Sequence, residues 1–340
     1  MLNYLVFLFA FEYGKRNLNV NKFVSLKRKL NLIIKTFVKG IFFQMELLSN
    51  KITKYSFSGH DSFQCRQFWL KKGFDFVLAG RSFNDDNAVI DLGVGKNMVA
   101  SIRFWLKAFY VSDIKDQPTD FGTLMFGDRG LDPFLEDDGS LWLLHYHLVK
   151  TGFASIYTLI FNELRREKIE FNKESFTSYV KRKSEVTKGI NFNPKTVAED
   201  FDVFRKMYLS NNAEKVGEDG YSGLLSELNL VNKIENRVDN KKEELFSIEN
   251  SLKAKIPVEI FLYTILENDA WDLSINLNSL EQDVNSPGSV FAMSRQGIIE
   301  KIHEAKSRYS WLQYNDHAGV KELQLKERPE PLTILTDYYG

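Results

Sequence analysis

The stretch SGHDSFQCR, residues 58–66, gathers the most reactive side chains of the sequence: His60, Asp61, Ser62, Cys65 and Arg66. A histidine beside an aspartate can act as a base or a ligand, and an arginine can hold a phosphate or carboxylate in its guanidinium fork. His60, Asp61 and Ser62 are therefore candidate catalytic residues. They are not a serine-protease-like triad, because triad members converge in space whereas adjacent residues diverge. The structural alternative is a tied-down loop in which Cys65 is a small buried hydrophobe rather than a sulfur carrier.

A second group lies in GLDPFLEDDGSLWLLHYHLV. Asp132, Glu136, Asp137 and Asp138 precede an apolar helix expected from Leu141 to Leu164, and His145 and His147 lie on it. Carboxylates near a histidine can hold Mg²⁺ or serve in acid–base work, which adds Asp132 and Glu136 to the catalytic candidates. Acids also favour a helix N-terminus electrostatically, which accounts for Asp137 and Asp138 without a site. His145 and His147, two apart, do not face one ion together.

Between these groups, AVIDLGVGKNMVASIRFWLKAF reads as a helix-turn-helix. It has Ala88 in a short first helix, Gly93 able to take a positive φ in the turn, and Val94, Val99 and Ile102 facing inward. Its outer face presents Lys96, Asn97, Ser101, Arg103 and Lys107, which with Arg66 are the candidate DNA-binding residues. PTDFGTLMFGD, with Gly122 and Gly127, is expected to follow as a two-stranded wing. GVGK is not a P-loop, since Ile90 and Asn97 stand where that motif needs Gly and Ser or Thr.

The chain that must position these groups has 340 residues, 45 Lys+Arg against 45 Asp+Glu, 44% hydrophobic and 26% charged residues. That composition is globular and excludes wholesale disorder and a polytopic membrane protein. One cysteine excludes an internal disulfide and any zinc site built on two thiolates; it fits a reducing, cytoplasmic setting. The charge is partitioned: residues 1–44 hold eight basic groups against Glu12, and the body is acidic. This leader is apolar at its start but too short to cross a bilayer, and it lacks a signal-peptide pattern. An over-extended gene start, with Met45 opening the protein, accounts for it, and no stable membrane association is expected.

The expected fold is mainly α with small β elements. A winged helix-turn-helix occupies an N-terminal domain over 45–130, a helical domain follows over 131–230, and an α+β or winged-helix-like module spans 231–340. Residues 165–193 read as a solvated helix and linker. Thr196 and Glu199 form a capping box that starts a helix in which Asp200, Asp202 and Arg205 are surface groups. GEDGYSGLLSELNLV continues the helical pattern, and 232–250 is a hairpin turning at 239–242. Pro257 opens a helix, SPGS at 286–289 is a turn, VFAM a strand, Ser294 a helix cap, and 309–327 two strands turning at 316–319.

Taken in order, FSGHDSFQCRQFWLKKG, AVIDLGVGKNMVASIRFWLKAF, GLDPFLEDDGSLWLLHYHLV, SPGSVFAM and the ending LTILTDYY resemble the SspB-like domain-of-unknown-function family of bacterial single-stranded DNA phosphorothioation systems. The resemblance covers about residues 55–340 and leaves out 1–44. It implies a role in phage defence beside a cysteine desulfurase, an ATPase and a sulfur-activating enzyme. The implied task is to nick DNA so that sulfur can replace a non-bridging phosphate oxygen, with Mg²⁺ or Mn²⁺ polarising the phosphate if hydrolysis occurs. The sequence carries no PD-(D/E)xK core or HNH set. The two expectations are therefore a DNA-binding, DNA-nicking protein and a non-catalytic adaptor that docks the sulfur-transfer proteins.

Overall fold

Glycines and caps, more than hydrophobic periodicity, decide where the helices of this chain start and stop. The computed structural model describes residues 55–210, 223–238, 241–317 and 319–340. The leader at 1–44, the first part of GEDGYSGLLSELNLV and residues 239–240 of the hairpin turn expected at 239–242 lie outside the described residues.

Helix α1, Gln67–Leu78, buries Trp69, Leu70, Phe74, Phe76 and Val77. Helix α2, Ala88–Leu92, ends at Gly93 with φ 58°, and α3, Lys96–Ala108, follows at once. The expected helix-turn-helix is present as local geometry. Gly73 lets α1 approach α3, because a Cβ there would lie 2.7 Å from Ile102 Cγ2 and 2.8 Å from Leu106 Cδ1.

The expected wing is absent and must be corrected: residues Asp120–Phe126 form helix α4. The Thr119 hydroxyl accepts from the Gly122 N–H at 2.9 Å and caps it. Gly122 is a packing glycine rather than a turn glycine, since its Cβ would sit 2.2 Å from the Val111 carbonyl oxygen. Only an isolated bridge between Ser112 and Pro118 is strand-like here.

Helix α5, Asp138–Thr151, is buried on nearly every face and runs through the middle of the core. The single helix expected from 141 to 164 is broken at Gly152, φ 64°, and restarts as α6, Ser155–Leu159, which widens into a π turn over Ile160–Leu164. The stretch expected as a solvated helix and linker holds helix α7, Lys173–Val186, with a reciprocal Asn172/Ser175 capping box, and in addition the short strand β1, Glu170–Phe171. Helix α8, Pro194–Tyr208, begins before Thr196, because Asn193 caps it and Pro194 supplies a first-turn φ. The described part of the next segment contains only a 3₁₀ turn at Ser226–Leu228 where a helix was expected.

Strands β2, Asn232–Val238, and β3, Lys241–Ser247, form the expected hairpin, and β1 adds to β3 with Phe171 opposite Phe246. Helix α9, Val258–Leu266, is wholly buried. Strand β4, Ser274–Asn276, helix α10, Leu277–Gln282, and helix α11, Pro287–Val290, follow. Thus SPGS is a Ser286-capped helical turn, and VFAM is a buried passage in which Met293 alone bridges Ser251. Helix α12, Arg295–Arg308, starts at Ser294 as expected. Strands β5, Leu312–His317, and β6, Val320–Leu325, complete an antiparallel sheet ordered β4–β6–β5, and α13, Pro331–Tyr339, ends the chain. One hydrophobic core runs through these elements. The mainly α fold with two small three-stranded sheets is as the sequence implied.

Gly73→Ala overpacks the α1–α3 contact and should cost about 1–3 kcal/mol in urea unfolding. Gly93→Ala, with open space around its Cβ but a left-handed backbone, should cost only about 1 kcal/mol. Equal losses at the two positions would contradict the close approach.

Candidate functional site

The loop before α1 is a scaffold. His60 is 1% exposed, stacks on Trp105 with ring centroids 5.1 Å apart, and places Nε2 2.8 Å from Asp200 Oδ1, itself 1% exposed. Asp200 Oδ1 also accepts the Ser58 N–H at 2.8 Å. Ser101, expected on the outer face of α3, is buried instead, its hydroxyl 2.9 Å from both the His60 and the Asn97 carbonyl oxygens. Trp105 Nε1–H donates to the Phe63 carbonyl at 3.1 Å. Asp200, read from sequence as a surface group, is thus the buried partner of the whole loop. The signal that could have found it is its place on the apolar stripe of α8 with Val197, Phe201 and Phe204. Asp61 and Ser62 remain exposed, and Cys65 is fully buried, which pushes its thiol well above the usual range.

The acids at 132–138 are likewise consumed by structure. Asp132 accepts the Glu136 and Asp137 N–H groups at 2.9 and 3.0 Å and the Ser140 hydroxyl at 2.5 Å. Ser140 spends its proton on that carboxylate, so the Tyr339 O–H donates to Ser140 Oγ at 2.6 Å. Asp137 caps α5 through Gly139 N–H and accepts from the Tyr338 O–H, both at 2.7 Å. The terminal LTILTDYY is therefore fastened onto the start of α5, while Glu136 and Asp138 stay exposed.

His145 and His147 are buried, neutral packing residues. His145 Nε2 faces the Val290 carbonyl at 2.8 Å, so it must carry the proton, and Nδ1 accepts from the Tyr208 O–H at 2.7 Å. Burial pulls its pKa down to about 3 against that carbonyl. His147, 2.9 Å from the Tyr263 hydroxyl, is pulled down for the same reason.

Three candidate residues do meet at one opening. A cavity of about 790 Å³ is lined by Arg66, Lys96 and Asn97 together with Gly93, Gly95 and the apolar Phe63, Val89, Ile90, Val94 and Met98. It lies at the start of α3, whose N-cap Gly95 offers no side-chain cap, so the first-turn N–H groups keep their donors for whatever enters. Arg66 rests over the Trp69 ring at 5.3 Å. Lys96 makes no ion pair among the described residues. Arg103 and Lys107 do not reach this opening. Both are drawn to Asp116, which stands at φ 62°, with bonds of 2.5 and 2.9 Å. Although burial opposes it, these hydrogen bonds hold the Asp116 carboxyl below its usual range.

Two outcomes follow. His60→Ala should cost about 2–4 kcal/mol of stability, because it leaves Asp200 buried with one donor fewer and opens a gap beside Trp105; an unchanged urea midpoint would contradict the scaffold role. The histidines set a pH dependence. With folded pKa values depressed below the unfolded ~6.5, there is no penalty above that pH. As pH falls below it, each residue removes up to about 1.4 kcal/mol of stability per unit, His145 continuing to do so until about pH 3. Urea unfolding at pH 7 and pH 5 should show this loss, and His145→Gln should flatten it.

No curated protein matches the chain. Two solved structures do, each at 26% identity over 84% of this chain and 88% of theirs: an SspB crystal structure with TM-score 0.72 and a magnesium ion-bound SspB crystal structure with TM-score 0.73. The described residues of this chain bring no three His, Cys, Asp or Glu side chains into metal-ligand geometry, and Asp132 already accepts three hydrogen bonds. Residues 57–339, nearly the whole described body, match the model of a family described as a protein of unknown function, DUF4007, and the chain belongs to that family.

Proposed function

We propose that this protein is a DNA-binding component of a bacterial DNA phosphorothioate-modification and phage-defence system, and that it holds the DNA backbone at the α3 opening. The similarity to SspB supports the system. The observation that carries the DNA contact is the convergence of Arg66, Lys96, Asn97 and the uncapped first turn of α3 on one cavity. Cations and free N–H donors at a helix start suit phosphate oxygens, and Asn97 suits a base edge or sugar. The contact is narrower than a whole recognition helix, because Asp116 withdraws Arg103 and Lys107. If the protein nicks DNA, His60 and Asp132 are not the groups that act, since both are buried in structural bonds; Asp61, Ser62 and Glu136 are the exposed candidates.

A second reading, an adaptor for the sulfur-transfer proteins, draws on the C-terminal part. The order helix, strand, three helices, strand, strand over 258–325 supports a winged-helix-like module there. Three of its four α12 cations are paired: Arg295 with Glu281 at 2.8 Å, Lys301 with Glu304 at 2.8 Å, and Arg308 with Glu259 at 2.7 Å. A balanced face of this kind suits a protein partner better than a polyanion.

Duplex DNA binding measured against salt separates the readings. Lys96→Ala and Arg66→Ala should each weaken binding and lower the salt slope by about 1, whereas Arg103→Ala should leave affinity close to the parent. Unchanged affinity in the first two variants removes the α3 contact. A supercoiled-plasmid assay on the same protein decides nicking: open circles support an enzyme, intact plasmid with bound DNA supports a DNA-binding component that does not nick, and absence of DNA binding favours the adaptor.

A further inference from the structure

Directly after the π turn at Ile160–Leu164, the chain places Arg165 and Arg166 against the 282–289 turn that carries SPGS. π turns of this kind are frequent at functional sites. Arg165 Nη2–H donates to Asn250 Oδ1 and, at 3.2 Å, to the Gly288 carbonyl. Arg166 Nη2–H donates to the Gln282 carbonyl and to Ser289 Oγ. Asn162 within the π turn locks the geometry, accepting the Asn285 N–H at 2.8 Å and donating to Asn285 Oδ1 at 3.0 Å.

The partners of the two guanidinium groups are neutral: carbonyls, an amide and a hydroxyl. Arg165, Arg166 and the adjacent Lys253 make no ion pair among the described residues, and Arg165 Nη1 is buried with no acceptor. Burial, and then Arg166, push the Arg165 pKa down to about 10; burial, and then Arg165, pull Lys253 down. Asp283 and Glu163 favour the charge of Arg166, and Glu249 that of Lys253, but burial outweighs them and both groups stay lowered. Glu163 is committed to Tyr179 and Lys183, Asp283 accepts from Trp271 Nε1–H at 3.0 Å, and Glu249 is exposed. Lys253 also holds a left-handed backbone, φ 50°, which a non-glycine residue adopts at a cost. A buried guanidinium N–H without an acceptor, beside two further cations, is a place where an anion would be stabilised.

We propose that Arg165, Arg166 and Lys253 form a phosphate-binding site, separate from the α3 opening, that takes either a backbone phosphate of a nucleic acid or a free phosphate group. A tetrahedral oxyanion matches the chemistry: Arg165 Nη1 would donate to one oxygen, while Arg166 and Lys253 supply charge.

The test uses the full chain and inorganic phosphate as probe, with chloride at matched ionic strength as control. Phosphate should raise the Tm of the parent by a few degrees through binding to the folded state. Lys253→Gly, which removes both a charge and the left-handed strain, should have a higher Tm than the parent in phosphate-free buffer yet gain less than half as much from phosphate. Arg166→Gln should also lose the gain. No phosphate effect beyond chloride, or the full gain retained in both variants, overturns the proposal. Oligonucleotide binding identifies the source: affinity lost in both variants while Lys96→Ala is tested separately marks a backbone phosphate, and unchanged DNA affinity with phosphate stabilisation lost marks a small ligand.

Discussion

The buried contact between His60 and Asp200 is the constraint on which the α3 opening depends. It joins the loop before α1 to α8 from the far side of the sequence, with Ser58 N–H and Ser101 on the same small network. Gly59 makes the approach possible, because a Cβ there would lie 2.4 Å from the Phe104 ring. With His60 stacked on Trp105 and Trp105 bonded to Phe63, the backbone enters α1 in one direction only, and Phe63 and Arg66 arrive as walls of the cavity. The most reactive sequence motif in the chain therefore does positional work. A polar pair this deep is costly to leave half satisfied, so the loop has few alternative arrangements.

Charge is distributed by the same economy. Asp116 gathers two of the cations on α3 and leaves Lys96 at the helix start, where the helix dipole adds to it. Acids on α10, α9 and α12 pair with three of the four cations of α12. The exception is the cluster of Arg165, Arg166 and Lys253, which makes no ion pair among the described residues and whose arginines bond neutral groups. An acidic body can hold phosphate when its cations are released from local pairs at a few points, and overall charge does not report that.

Much of the architecture was legible because caps and left-handed glycines act locally. Gly93, Ser294 and the 232–250 hairpin follow from turn and capping chemistry. The wing was misplaced because Gly122 has two meanings. A turn glycine and a packing glycine look alike in sequence, and only the Val111 carbonyl beside it distinguishes them. The same ambiguity hid the break at Gly152 inside an unbroken apolar run. In the candidate site, Lys96 and Asn97 were legible from helix-turn-helix spacing and Arg66 from the SGHDSFQCR motif, while Ser101 faced inward because one helical position shifts a residue by about 100°. Asp200 and the pairing of Arg103 with Asp116 depend on contacts between distant segments, which periodicity does not encode.

Amide hydrogen exchange on the full chain, with and without a DNA duplex at low salt, tests the central claim most directly. The account predicts that DNA slows exchange at the first-turn amides of Lys96, Asn97 and Met98, because these N–H groups lack intrahelical partners until a phosphate accepts from them. Exchange at those amides that is unchanged by saturating DNA would contradict it.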